Sequence, residues 1–241
     1  MTDLPDLARF DAVLFDLDGV LTPTAEVHMH AWQTMFEDLF RAWRITPPYT
    51  EADYFEYLDG KKRYDGVASL LRSRDVEVPW GEPVDPPTAD TVCGIGNRKN
   101  EVFARVLRAE GIAPYPGSLA LVDRLRAAGV PIAVVSSSKN AEEVLAAAGI
   151  RDRFDVVMDG VIAERDGLAS KPAPDVFLEA ARMLGVEPAR SAAVEDALSG
   201  VRSASAGGFA LVVGVDRGVG EAALVEAGAD VVVDDLAAFV D

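Results

Sequence analysis

Two aspartates one residue apart, Asp16 and Asp18, close an apolar run in the stretch AVLFDLDGVLTPT (12–24). A chain needing only a buried strand has no reason to end it on two like charges, which repel each other and resist dehydration. Three things could reward their closeness: a cation held between them, a reaction that uses a nucleophile beside an acid, or a plain turn at a strand end. Further candidates follow later apolar bursts. SSSKN supplies Ser136, Ser137, Ser138, Lys139 and Asn140, SKPAPD supplies Lys171, and VEDALSG supplies Glu195 and Asp196. Clustered carboxylates suit a hard divalent cation such as Mg²⁺, which keeps several waters and completes its shell with phosphate oxygens. Asp16, Glu195 and Asp196 are the expected donors. A serine hydroxyl, backbone amides at a helix start and a lysine suit phosphate oxygens, and Ser136 and Lys171 are placed for that task. An aspartate can then attack phosphorus as a covalent nucleophile, provided cation and lysine neutralise the charge that develops. Asp18, turned across the reacting group at the flexible Gly19, could protonate the leaving oxygen and then deprotonate the next acceptor.

These residues work together only if the fold gathers them, and the apolar pattern says how. Six short runs read as buried strands: AVLF (12–15), PIAVVS (131–136), FDVVM (154–158), SAAVE (191–195), FALVVGV (209–215) and DVVVD (230–234). They do not alternate, which suits a parallel sheet covered on both faces. Helical patterns between them stop at Gly129, Gly149, Gly185 and Gly228, with Pro174 near one start. Strand, helix, strand with short links predicts a doubly wound α/β sheet, whose ligands collect at the carboxyl ends of the strands. One long interval breaks the rhythm. HMHAWQTMFEDLFRAW sets Trp32, Phe36, Leu39, Phe40 and Trp43 on one helical face, and NEVFARVLRAEG repeats the style with Phe103, Val106 and Leu107. The expected organisation is a discontinuous α/β domain, 1–23 and 116–241, with a helical domain inserted at 24–115. The crossings TPT (22–24) and APYPG (113–117) are the expected hinges, and VPWGEPVDPPTAD (78–90) reads as an exposed loop.

Composition narrows the partners. The chain has 241 residues, 49% of them hydrophobic, and a formal net charge of −17. That balance argues against nucleic acid or an anionic membrane as a partner, and an anionic substrate must be drawn in by a local positive site. A single cysteine, Cys93, excludes an internal disulfide and is compatible with a reducing compartment. No signal-peptide pattern opens the sequence and no run is long enough to span a bilayer, so a cytoplasmic location and a monomer are expected.

FDLDGVL, VVSSSKN, KPAPD and VEDALSG, in that order, resemble the four motifs of the haloacid dehalogenase superfamily, and the resemblance covers nearly the whole chain. It implies a Rossmann-like α/β core, with Asp16 as the nucleophile that becomes an aspartyl phosphate and Asp18 as general acid/base. Ser136 and Lys171 become the phosphate and charge clamps. Asp16, Glu195, Asp196 and the carbonyl of Asp18 become the Mg²⁺ site. True dehalogenases lack the second aspartate of the first motif and need no metal, so phosphoryl transfer is the implied chemistry.

Within the superfamily the chain resembles the β-phosphoglucomutase group, which carries a helical cap after the first motif. The resemblance implies a hinge at Thr24 and an acid/base-positioning role for His28. Ser137, Ser138, Lys139 and Asn140 line the loop that would grip the non-reacting phosphate, and DGKKRYDGV offers Arg63 for the same phosphate. The implied reaction converts β-glucose 1-phosphate to glucose 6-phosphate through glucose 1,6-bisphosphate, with cap closure excluding water. Pro23 and Asp59 depart from that group's pattern, and the cap is longer around PPYTEADYFEYL (47–58), which bears on the sugar and its anomer. Two other readings stay open: a phosphatase for a small sugar phosphate or related metabolite, and a non-catalytic phospholigand-binding module. Individual residues also have plain structural alternatives. His28 could be an ordinary helical histidine, Lys61, Lys62 and Arg63 a solvated basic patch, Asn140 an N-cap, and Glu195 and Asp196 caps of the helix that follows them.

Overall fold

A computed structural model of the chain describes residues 4–58 and 63–240. Asp59, Lys61 and Lys62 lie outside the described residues. The six apolar runs form β1 (Val13–Phe15), β2 (Ile132–Val135), β3 (Val156–Met158), β4 (Ala192–Glu195), β5 (Leu211–Val215) and β6 (Val231–Val233). They make one parallel sheet in the order β3-β2-β1-β4-β5-β6. The strands are shorter than the apolar runs because the flanking residues turn into loops. The order reverses direction between β1 and β4, the point at which an open α/β sheet leaves a crevice at its strand ends.

Among the described residues, ten α-helical segments accompany the strands. They are α1 (Thr24–Trp43), α2 (Glu51–Asp53), α3 (Arg63–Arg72), α4 (Val92–Glu110), α5 (Pro116–Ala127), α6 (Ala141–Ala147), α7 (Gly160–Arg165), α8 (Asp175–Leu184), α9 (Leu198–Ala206) and α10 (Glu221–Ala227). A one-turn π-helical stretch, Tyr54–Leu58, continues α2. No helix among the described residues is long and apolar enough to cross a membrane.

Two compact units result, Met1–Thr24 with Ile112–Asp241, and Ala25–Gly111. The chain thus leaves the α/β unit after Thr24 and rejoins it at Ile112, against expected crossings at 23/24 and 115/116. Local bonds account for the difference. The Thr24 hydroxyl donates to Asp18 Oδ1, and Tyr115 N–H donates to the Leu21 carbonyl at 2.9 Å.

In the α/β unit, β1, β2, β4 and β5 are buried along their whole length, whereas the edge strand β6 is half-buried. Leu14, Ala133, Met158, Phe177, Ala193 and Val212 belong to one core cluster under these strands. In the helical unit, Trp32, Phe36, Leu39 and Phe40 of α1 are buried as their spacing requires, but Trp43, the last residue of α1, is only half-buried. The 78–90 stretch is the predicted irregular loop, and α4 holds it in place. Asn97 Nδ2 donates to the carbonyls of Pro83 and Asp85, and Arg98 Nε to that of Pro87.

Candidate active site

β1 ends at Phe15, so Asp16 emerges at the carboxyl edge with its N–H held by the Val194 carbonyl of β4 at 2.9 Å. Glu195 is the last residue of β4 and is 1% exposed. Its Oε2 accepts from the N–H groups of Asp196 and Ala197, both at 3.0 Å, which fixes its rotamer at the start of α9. These bonds brace the turn before α9, whose N-cap Ala197 takes no side-chain bond, so the expected capping by Glu195 is not what the structure shows, and Oε1 is left for other use. Lys171, delivered by the loop between α7 and α8, donates to Asp16 Oδ1 at 2.6 Å, Glu195 Oε1 at 2.6 Å and the Val135 carbonyl at 2.9 Å. One ammonium thus ties together the ends of β1, β2 and β4.

Asp16, Glu195 and Asp196 each bring a carboxylate oxygen within 4.8 Å of the others. With all three ionised, the carboxylates exceed the single Lys171 ammonium by two negative charges, the complement of a divalent cation. Burial, with Glu195, Asp18 and Asp196 adding repulsion, holds Asp16 well above the ordinary carboxylate range despite the attraction of Lys171. Burial and the Glu195 charge push Asp196 up to about 7. Burial alone would lower Lys171, but attraction to Asp16 and Glu195 outweighs it and holds the ammonium charged. An all-oxygen donor set under this electrostatic load fits Mg²⁺.

Backbone space is matched to the cluster. Gly19 has φ +83°, and a Cβ there would lie 2.0 Å from Asp196 Oδ2; a Cβ on Gly200 would lie 1.7 Å from Glu195 Oε1. Glycine at these two points lets the carboxylates occupy the positions they do.

Metal-free stability should follow from the Asp196 shift. Its folded value lies above the ordinary 3.8, so the folded chain retains a proton that the unfolded chain has released. That contribution is present at low pH and is lost as pH rises through the window from about 4 to about 7. Thermal melts in chelator should therefore fall across this window. Mg²⁺ at about 100 times its Kd should restore about 2.7 kcal/mol above it, and less at about pH 5, where protons compete for the same oxygens. A Mg²⁺ response of equal size at both ends would contradict the site.

Asp18 follows in the turn closed by Gly19 N–H to the Thr22 carbonyl at 2.9 Å, and its carboxylate accepts from the buried Thr24 hydroxyl. At the end of β2, Ser136 is fully buried. Its Oγ accepts from Ser138 N–H at 3.0 Å, and Ser138 Oγ accepts from Asn140 N–H at 3.1 Å. Each hydroxyl is used as an acceptor and keeps its O–H to donate. Ser137 is exposed. Asn140 stands at the N-cap of α6 without making a side-chain cap bond, and is buried. Lys139, expected to grip a phosphate, donates to Glu164 Oε2 at 2.6 Å, with both side chains largely exposed. A Glu on α7, far along the sequence, gives this contact no local signal.

In the helical unit, Arg63 opens α3 and its Nη2 donates to Asn100 Oδ1 at 3.1 Å. His28 stacks on Phe103 with centroids 4.4 Å apart, and its Nδ1 lies 2.6 Å from Lys99 Nζ. Burial, then the Lys99 and Arg63 charges, hold the imidazole well below its usual range. A lysine can only donate, so Nδ1 accepts and the neutral ring carries its proton on Nε2. Lys99 is 4% exposed, with its ammonium 5.1 Å from the Trp32 ring centroid and 5.0 Å from that of Phe103. The sequence reading missed it. The signal was a lysine on the apolar face of α4, in step with Ile95, Val102, Phe103 and Val106.

A parallel α/β sheet presenting a buried aspartate, a bridging lysine and an acid pair at its switch point suits an enzyme of phosphoryl transfer, a phosphomutase or a phosphatase, and the relatives of the chain agree. The chain belongs to the haloacid dehalogenase-like hydrolase family, whose model matches residues 10–208. It is 50% identical to a β-phosphoglucomutase of Mycobacterium tuberculosis over 245 residues, 97% of this chain and 92% of that protein. It is similar in structure to CbbY of Rhodobacter sphaeroides in complex with xylulose-(1,5)bisphosphate, with TM-score 0.69, 31% identity and 95% of each chain covered. It is likewise similar to a β-phosphoglucomutase of Clostridium difficile, with TM-score 0.69, 26% identity, and 95% and 92% of the two chains covered. Family membership sets the non-catalytic binding module aside.

Proposed function

We propose that this chain is a Mg²⁺-dependent β-phosphoglucomutase working through an aspartyl phosphate on Asp16. The observation that carries the chemistry is the Lys171 bridge from Asp16 to Glu195 beside Asp196. Near-complete coverage at 50% identity with the M. tuberculosis mutase supports the substrate. Asp16, Glu195, Asp196 and the Asp18 carbonyl would hold Mg²⁺, which when bound neutralises carboxylate and phosphoryl charge.

The Asp16 carboxylate attacks phosphorus, the bond from phosphorus to the leaving oxygen breaks, and Asp18 gives that oxygen a proton. Lys171 and Ser136 hold the equatorial oxygens as charge builds. In the return step Asp18 takes the proton of the 6-hydroxyl of β-glucose 1-phosphate, and that oxygen accepts the phosphoryl group. The resulting glucose 1,6-bisphosphate turns around, its 1-phosphate passes to Asp16, and glucose 6-phosphate leaves. Thr24 orients the Asp18 carboxylate and serves as the hinge. Arg63, with Ser137, Ser138, Lys139 and Asn140, serves the second phosphate, and His28 serves to position the acid/base.

A phosphatase acting on a small sugar phosphate is the second reading. The pairing of Lys139 with Glu164 favours it, because that ammonium is already engaged. β-Glucose 1-phosphate, Mg²⁺ and a trace of glucose 1,6-bisphosphate separate the two. Glucose 6-phosphate is the expected product, and free phosphate released from many sugar phosphates would replace the first reading by the second. Arg63→Ala should lower mutase turnover by about 2–4 kcal/mol of barrier while leaving hydrolysis of a small monophosphate within about threefold. Equal loss in both assays would remove Arg63 from the second-phosphate role.

A further inference from the structure

Arg217 lies in the loop after β5, and its guanidinium joins three separate pieces of chain in the α/β unit. Nε donates to the Gly19 carbonyl at 2.8 Å, and Nη1 donates to the Asp234 carbonyl at 3.2 Å. The flat face lies on Tyr115, 3.9 Å from the ring centroid. Tyr115 in turn donates its backbone N–H to Leu21. Nη2 is buried and makes no hydrogen bond among the described residues. An unmade bond on the buried Nη2 is unfavourable, so what the other contacts of this half-buried guanidinium hold must outweigh it.

What they hold is the turn that carries Asp18. The two peptide units that flank Gly19 are both held, the first through the Gly19 N–H to the Thr22 carbonyl and the second through the Gly19 C=O to Arg217. Asp18 pairs with Thr22 in an isolated bridge, and Gly19 abuts Asp196 with no room for a Cβ. A shift of this peptide moves Asp18 relative to Asp16. We propose that Arg217 is a positioning residue for proton transfer: its fork, flattened on Tyr115, locks the Gly19 peptide and thereby aims the Asp18 carboxylate. This rests on the phosphoryl-transfer reading above. Arginine suits the task because one planar group donates in two directions while stacking, which a lysine ammonium cannot do.

Leaving-group chemistry tests the idea. When a sugar phosphate phosphorylates Asp16, the departing alkoxide must take a proton from Asp18. When p-nitrophenyl phosphate does so, the bond from phosphorus to the phenolic oxygen breaks and nitrophenolate leaves as the anion. Single-turnover phosphorylation of Asp16 by glucose 1,6-bisphosphate and the nitrophenolate burst, both with Mg²⁺, therefore separate aiming of Asp18 from general damage. Arg217→Ala should slow the sugar phosphate step about tenfold or more and leave the burst within about twofold. Arg217→Lys should fall between, and Tyr115→Leu should shift in the same direction, which keeps the test available if Arg217→Ala does not fold. Equal slowing of both substrates, or of neither, overturns the positioning role. Asp18→Asn is the reference. If it affects both substrates equally, or if the native chain uses neither, the fault lies in the function proposed above, and the inference falls with it.

Discussion

Asp16→Asn should lose turnover of every phosphate substrate by on the order of 10⁴-fold or more while folding as the native chain does. The amide cannot attack phosphorus, and the neighbouring Glu195 is committed through Oε2 to two backbone amides and through Oε1 to Lys171. Lys171 keeps an acceptor in the Asn oxygen, and one of three crowded carboxylates becomes neutral. The variant should therefore melt at or above the native temperature in chelator at neutral pH. Intact-mass measurement after incubation with a phosphoryl donor should show the covalent phosphate on the native chain and none on the variant. Retained turnover, or a phosphate adduct on the variant, would remove Asp16 from the role of nucleophile.

The α/β core was legible because its physics is local. A strand buried on both faces must be an apolar run, and each carboxyl end that carries chemistry must break that run with polar residues, as Asp16, Ser136 and Glu195 do. Glycine stops such as Gly185 marked helix ends because only a left-handed residue closes them at that point. Other features depend on contacts between distant positions. Nothing near Lys139 announces Glu164, and nothing near Gly19 announces Arg217, separated by 198 positions. Asp159 shows the converse case. It follows β3 as Asp16 follows β1, yet its Oδ1 accepts from Val161 and Ile162, so it caps α7 instead of joining the acid cluster. Position at a strand end selects candidates, and the following helix decides which of them remain available for chemistry.

The same electrostatics bind stability and function together at Lys171. With a net charge of −17, the chain has no general attraction for an anionic substrate, and its answer is one buried ammonium set among acids. That ammonium offsets the repulsion of Asp16 and Glu195 before substrate arrives and, in the mechanism proposed, meets the phosphoryl oxygens when it does.

Lys171→Met, which keeps the stem and removes the charge, should therefore cost about 3–5 kcal/mol of folding stability at neutral pH in chelator, the usual penalty for stranding one side of a buried ion pair. The sign of its pH dependence follows from the carboxylates. Without the ammonium, Asp16 and Asp196, already raised by burial and mutual repulsion, rise further, so the folded variant holds protons the unfolded chain releases. Its deficit relative to the native chain should be smallest near about pH 4 and grow as pH rises through neutrality. Mg²⁺ should recover part of the deficit, since it answers the same charge. Turnover should stay at least about 10²-fold down even with saturating Mg²⁺, because the cation leaves vacant the donor that reaches Asp16 Oδ1 and the Val135 carbonyl. Urea melts at several pH values, with and without Mg²⁺, measure all of this together. A deficit that is flat with pH would mean that Lys171 packs as a hydrocarbon stem and that its charge contributes nothing to holding the cluster.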